Sequence, residues 1–595
     1  MTSSADQHRS TPQGHEGGPS SLDFPEYKSN VKGDVSHLTE KEKSRRHPFI
    51  PPSDCTLVNN LPNELLSYIF TLGSEAEKRG YGDDSTEEEE QEDEEEQGPH
   101  LPFQVLVSHV SRQWRTVAIG IPTLWNYLDF EEGPPFDKSR TWLERSKECP
   151  LSIALDCTVD SEPTSESSSE SDGSEDEADS SSENELIASQ DRVAMPGGPP
   201  LAPLGGKENK KKSSDHISPA DLPVVRDLIL PHSARWRVFE LMVDDFQLMY
   251  GILSTLASIP EAPELRALRL YHYDDNEDYD HFSPVHLKQP FFAPFCGRAA
   301  PELRLVTLWG VHVDWEACDF LQGLEDLELA YHAKDVRPPY AAFARILQGS
   351  PNLHTLTLSA SGPSGKPEQD WPTGVIELPS VRKLCLAFVE PSYASALLKR
   401  LAFPNLQVLA LDFDPEDYSA FIKQLVRPPP NQRYSVCQNL VELKLSGMQC
   451  SEKAMAKFYA ALPNLTSLNL NCYHLQPQSF GLLFAMMNLG EPDYHYYLPK
   501  LTTLITFGIT IEQMCKLISM RPTIKHVRMD SNTDEDKENE AWLRAHTESF
   551  EFFDDSDDED EDTDTGTTAD LSTESDAESD GVPGEWVDDD DDSIE

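Results

Sequence analysis

The side chains that could do covalent or metal chemistry are present in this sequence but never gathered at working spacing. Ten cysteines are scattered without a Cys-x-x-Cys pair, and most sit inside apolar runs, so zinc spacing is missing and a disulfide framework does not suit so large a core. His272 and Asp274 could pair as base and orienter, but such a pair carries no specificity and reads as solvated loop. Gly197-Gly198 and Gly205-Gly206 lie in Pro-rich sequence, without the strand before and helix after that a phosphate-binding loop needs. Ser169, Ser174 and Ser556 precede acidic residues and suit an acidophilic casein-type kinase, where added phosphate deepens like-charge repulsion. Lys207-Glu208-Asn209 and Lys537-Glu538-Asn539 match a three-residue KEN degradation signal, a weak motif, in segments expected to be exposed. No catalytic residue, metal ligand or cofactor is expected, and the chain is read as no enzyme.

What remains is recognition chemistry, carried by apolar and aromatic residues at helical spacing. Between Leu57 and Phe70, Pro62 stands near a helix start, where its missing N–H costs nothing. Leu61, Leu65, Leu66, Ile69 and Phe70 then form one broad apolar face. A second helix places Val110, Trp114 and Val117 on one side, and the block closes at Pro122-Thr-Leu124-Trp125.

A repeated unit follows. An apolar-x-x-apolar-x-apolar signature begins at Leu265, Leu303, Leu324, Leu353, Val381, Leu406, Leu440, Leu465, Leu501 and Ile524, often just after Pro or Asn. A degenerate copy runs Trp236-x-x-Phe239-x-Leu241. Its last two apolar positions alternate as a strand with one buried face requires. Helical spacing recurs between these strands at Phe246/Met249/Tyr250/Leu253, Tyr418/Phe421/Ile422/Leu425, Met455/Phe458/Tyr459/Leu462, Phe480/Leu483/Phe484/Met487 and Ile511/Met514/Cys515/Ile518. Asp414-Pro415 suits a helix start, and Thr510 with Gln513 suits a capping box. Strand plus helix, stacked, predicts an α/β solenoid with an inner parallel sheet and outer helices.

Charge separates this body from its surroundings. Of a formal net charge of -56, residues 83–96 carry 11 acidic side chains, 156–191 carry 13, and 530–595 carry 29 against Lys537 and Arg544. Such blocks hold too little apolar surface to offset the entropy of ordering, so they are expected to be disordered. No basic stripe of useful length is present, which argues against nucleic acid; Lys41 to Arg46 and Lys210-Lys211-Lys212 read as solvated linker rather than import signals. No signal-peptide core and no run of about 18 apolar residues is seen, so no membrane contact and a cytoplasmic or nuclear location are expected.

Leu61-Pro62-x-Glu64-Leu65-Leu66-x-x-Ile69-Phe70, then Val110-Ser111-x-x-Trp114-Arg115, then Pro122-x-Leu124-Trp125 resembles the F-box, in the version abundant in fungi. Trp142-Leu143-x-Arg145-Ser146, Pro150-Leu151-x-Ile153 and Ser233-Ala-Arg235-Trp236-Arg237 resemble the segments that accompany it. The repeats resemble the leucine-rich repeats of F-box proteins, although the Asn or Cys expected after each strand survives only as Cys450 and Cys472. The resemblance implies a leader over 1–50, an F-box over 54–130 with an acidic insert at 73–100, and a connecting segment over 131–157. A disordered linker over 158–220, repeats over 221–530 and an acidic tail over 531–595 complete the expected map. It implies a substrate-recognition subunit of an SCF-type ubiquitin ligase. Leu61, Pro62, Leu65, Ile69, Val110, Trp114 and Trp125 would contact the Skp-type adaptor that is bound to cullin. An unknown protein substrate would meet the outward sheet positions Arg269, Thr307, Glu328, Thr357, Lys383, Glu442, Lys444, Asn469 and Arg528. Two other readings stay open: an acidic scaffold or chaperone for basic proteins, and an F-box adaptor acting outside ubiquitylation.

Overall fold

The computed structural model describes residues 61–80, 101–158, 216–273, 279–298, 300–428, 435–488, 494–530 and 537–553. The leader, most of the acidic insert, residues 159–215 of the linker and the chain beyond 553 lie outside the described residues, as do the first KEN match and Ser169, Ser174 and Ser556. By compactness the chain divides after Leu66. Of the first unit, residues 61–66 are described: the Pro62 carbonyl accepts the amides of Leu65 and Leu66, both at 3.1 Å, and so opens a helix.

The second unit is built on a sheet of fourteen parallel strands whose spatial order is their sequence order. They are β1 (Tyr127–Leu128), β2 (Leu151–Cys157), β3 (Trp236–Val243), β4 (Ala267–His272), β5 (Leu305–Trp309), β6 (Asp326–Ala330) and β7 (Thr355–Ser359). Then come β8 (Lys383–Ala387), β9 (Val408–Asp412), β10 (Glu442–Ser446), β11 (Ser467–Asn471), β12 (Thr503–Phe507), β13 (His526–Asp530) and β14 (Ser549–Phe553). All ten strands expected from the repeated signature, and the degenerate copy at Trp236, take consecutive places in this sheet. A parallel pair cannot be joined by a tight turn, so each strand needs a crossover, and the repeat supplies it.

Register explains why the leucines recur. Strands pair without offset from β3 to β14, so Leu268, Val306, Leu327, Leu356, Leu384, Leu409, Leu443 and Leu468 form one buried row. Leu270, Leu308, Leu329, Leu358, Leu386, Leu411, Leu445 and Leu470 form a second, and the opening residue of each signature is buried as well. The Asn ahead of a signature also has a task. Asn405, Asn439 and Asn464 donate their amides across to carbonyls of the preceding unit, Pro379, Pro404 and Gln438, at 2.8–2.9 Å.

Thirteen α-helices are described alongside these strands. They include α1 (Asn63–Gly80), α2 (Phe103–Val110), α3 (Arg112–Gly120), α4 (Asp137–Arg145), α5 (Leu222–Ile229), α6 (Phe246–Leu256) and α7 (Tyr340–Gln348). α8 (Pro391–Arg400), α9 (Ser419–Leu425), α10 (Glu452–Ala460), α11 (Pro477–Gly481), α12 (Ile511–Met520) and α13 (Lys537–His546) follow, although α1 to α3 belong to the helical module rather than to the repeats. Thr510 and Gln513 form both bonds of the expected capping box.

Six expectations need correction. The sheet starts at Tyr127 rather than 221, because the stretch expected only to connect contains Leu151-Ser-Ile153-Ala-Leu155-Asp-Cys157, whose strict alternation makes β2. The linker ends earlier than 220: Ile217 is buried and its amide donates to the Asp156 carbonyl at 2.7 Å. The expected tail contributes α13 and β14, with Leu543 and Phe550 buried, so the second KEN match lies in the first turn of a helix. Asp414-Pro415 starts no helix; α9 begins at Ser419. The Phe480 pattern breaks after a short 3-10 turn at Leu482–Phe484, and Met487 lies in a two-stranded antiparallel sheet with Tyr494–Tyr496. The insert is also shorter than 73–100, since α1 continues to Gly80: Gly73 lies against the Phe103 ring, and Glu77 accepts the Phe103 amide at 2.8 Å.

Candidate protein-recognition surfaces

Among the described residues there is no group of three or more His, Cys, Asp and Glu side chains placed to hold a metal, and no helix long and apolar enough to cross a membrane. The surfaces that can do something are apolar or mixed. Two stand out.

The first lies on the helical module. On α1, Phe70 and Ser74 are buried, at the i, i+4 spacing of an inner stripe. Phe70 packs on Trp114, ring centroids 5.0 Å apart. The Ser111 hydroxyl caps α3 by accepting the Trp114 amide, at 3.1 Å. The other face of α1 carries Tyr68, Ile69 and Leu72, which are 63, 45 and 43 % exposed. Leu106 and Val110 on α2 are likewise exposed. A helix apolar on both sides has a second face to cover.

This geometry sorts the residues the sequence brought together. Leu65, Ile69 and Val110 are exposed, Pro62 is exposed, and Leu61 is half-buried. Trp114 is half-buried with its ring turned inward onto Phe70. Trp125 is a correction. It is fully buried, donates its indole N–H to the Ala118 carbonyl at 2.9 Å, meets Trp142 edge-on and lies under the Arg145 guanidinium, 4.4 Å from the ring centroid. It joins α3 to α4 and touches no open surface. Tyr68 and Leu72 are exposed partners that the sequence reading missed; the i+3 and i+7 spacing from Leu65 is the signal that marks them.

The second surface is the face of the sheet away from the leucine rows. Arg269, Thr307, Glu328 and Thr357 are register neighbours in its central row, which continues through Cys385 and Ala410 to Lys444, Asn469, Ile505 and Arg528. Lys383 and Glu442 lie in the adjoining row, on the same face. Of these outward positions, Thr307, Glu328 and Thr357 are buried. Neighbouring strands are only about 4.8 Å apart, so in-register side chains close over one another. The Thr307 hydroxyl donates to Glu328 at 3.3 Å, Arg269 pairs with Glu240 at 3.2 Å, and Arg528 pairs with Glu551 at 3.6 Å. Burial pushes the carboxyl groups of Glu328 and Asp326 up, to about 7 and about 6.

No family model matches the sequence. No curated protein matches it either. Among solved structures, the leucine-rich repeat-containing protein LegL7 from Legionella pneumophila is similar over 50% of this chain and 93% of its own, at 16% identity and a TM-score of 0.24. The complex of Rad7 and Elc1 in yeast is similar over 54% of this chain and 86% of that one, at 15% identity and a TM-score of 0.25.

Proposed function

We propose that this chain is the substrate-recognition subunit of an SCF-type ubiquitin ligase, a non-catalytic receptor working in the cytoplasm or nucleus. The observation that carries the reading is the uncovered face of α1: Tyr68, Ile69 and Leu72 form an exposed apolar anchor set on a helix where Phe70 is already packed inward. Helix-face recognition uses anchors about one helical turn apart, and a few of them dominate affinity. A Skp-type adaptor bound to cullin would cover that face, and the repeats would hold the target. The contribution to the reaction would be effective concentration and orientation of a target lysine.

Purification of the full chain from cells, with and without proteasome inhibition, tests this. Recovery of a Skp-type adaptor and a cullin, with a partner that accumulates on inhibition, is the expected result. Adaptor recovery with no effect of inhibition would favour an F-box adaptor outside ubiquitylation. Recovery of basic proteins alone, dependent on the acidic segments, would favour an acidic scaffold.

A further inference from the structure

Six of the repeat strands, β5, β6, β7, β8, β10 and β12, are followed by a left-handed residue. Glycine takes this place in three of them, at Gly310, Gly447 and Gly508, where φ is 64–73°. At Gly447 a Cβ would fall 1.5 Å from the Phe413 carbonyl oxygen, so glycine is required there. Yet β6 and β8 are followed by Tyr331 and Phe388, both at φ 50°. A bulky side chain in that conformation is strained, and such strain persists where it places a side chain usefully.

What the strain places is an aromatic ladder at the C-terminal edge of the open face. Tyr271 and Trp309 are register neighbours on β4 and β5. Tyr331 stacks on Trp309 with centroids 4.5 Å apart, and Tyr273 meets the same indole at 5.9 Å. Phe388 extends the line, 6.0 Å from Tyr331, and is 40 % exposed. The surroundings are negative. Glu240 and Glu328 flank the ladder in the central row, and Arg269 between them is already tied to Glu240. Burial first, and then the charges of Glu240, Asp156 and Glu328, push the Tyr273 phenol up to about 12.

Half-buried ring faces within reach of carboxylates are what a guanidinium or ammonium group seeks. We propose that this ladder is a subsite for an extended arginine- or lysine-bearing segment of a protein partner, its cation lying over Tyr273 and Trp309 in the field of Glu240 and of Asp156, which shares the row of Tyr271 and Trp309. The proposal rests on the receptor role of the open face and not on the adaptor contact.

The test is fluorescence anisotropy of a labelled alternating Arg-Gly peptide with the full chain at near-physiological salt, beside a Gln-Gly peptide of equal length. The variants are Tyr331→Gly, which puts at this place the residue three other repeats use; Tyr273→Leu, which keeps apolar bulk without a ring; and Tyr331→Phe as the conservative control. All retain the acidic segments, so any background from those is common to every arm. The arginyl peptide should bind wild type more tightly than the Gln peptide, and Tyr331→Gly and Tyr273→Leu should each weaken it on the order of tenfold. Tyr331→Phe should bind as wild type, and melting curves should stay close. Equal affinity for the arginyl peptide in wild type and both ring-removing variants would assign binding to the acidic segments and overturn the subsite. Equal binding of the Gln peptide would make the surface a general apolar groove and overturn it too. So would a ladder-dependent dimer on sedimentation, which would make a second copy the occupant. Adaptor recovery, measured on the same variants, should not change, and its loss from wild type would sink the ligase reading while leaving the peptide result standing.

Discussion

Phe70 of α1 and Trp114 of α3 meet ring to ring, centroids 5.0 Å apart and planes tilted by 57°. That contact fixes the rotation of α1 about its axis. With Phe70 turned in, helical geometry turns Tyr68, Ile69 and Leu72 out. Adjacent residues of similar hydrophobicity therefore have opposite energetic roles.

Phe70→Ala should cost about 3–5 kcal/mol of stability, because it empties a packed site, whereas Ile69→Ala should cost well under about 1 kcal/mol. Denaturant midpoints of the two variants, read by the fluorescence of the helical module, check this. Equal losses would mean that Ile69 is core and that α1 has no free face.

The chain shortened after residue 536 should lose stability and solubility relative to one ending at 556. The shorter chain lacks α13 and β14, so β13 becomes an open edge, with the cover of Leu543 and Phe550 removed. Light scattering and melting curves at matched concentration give the comparison. Identical behaviour would show that β14 caps nothing.

The open face should make stability depend on pH through Glu328. Its neighbours are Thr307, which donates to it, Asp326, and the cations Arg269 and Lys383. Burial raises its folded value from the ordinary 4.5 to about 7, so the folded state holds a proton that the unfolded chain releases. The stability linked to that proton is full below about 4.5 and is lost as pH rises through about 7. Glu328→Gln keeps an acceptor for Thr307 and removes the titration, so its melting temperature should gain on wild type between pH 5 and 8. A difference independent of pH would contradict the assignment. His312 and His332 work in the opposite sense. Burial lowers them to about 4 and about 3, so their contribution is full above about 6.5 and is lost as pH falls toward those values.

The strands of the repeat were legible because one face of each is buried and in register, which writes Leu-x-Leu into the sequence at every turn of the solenoid. The terminal strands were hidden for different reasons. β2 has the alternation but lacks the opening apolar residue of the signature, and β14 lies within so acidic a stretch that composition masked Ser549-Phe550-Glu551-Phe552-Phe553. The helices α7 and α8 escaped because Ala occupies much of their surface, Ala341-Ala342 and Ala394-Ser395-Ala396, and breaks up the apolar pattern. On the helical module the elements were legible but the faces were not. Trp125 and Ile69 look alike as apolar anchors, and only the fold turns one onto Trp142 and the other to solvent. On the open sheet face, seven of the nine residues share one row and Lys383 and Glu442 lie in the next, and their mutual pairing was not visible. Charge reversal at Arg269 would thus disturb Glu240 before it reached any target.

The account stands most directly on the affinity of the full chain for a purified Skp-type adaptor, measured by titration calorimetry. Replacing Tyr68 and Ile69 together by Ala removes two exposed anchors from α1 and should weaken binding on the order of a thousandfold if their losses of about 2 kcal/mol each add, with the melting curve unchanged. Unaltered affinity in that double variant, or no binding by the wild type, would contradict the claim that this face of α1 is the adaptor contact.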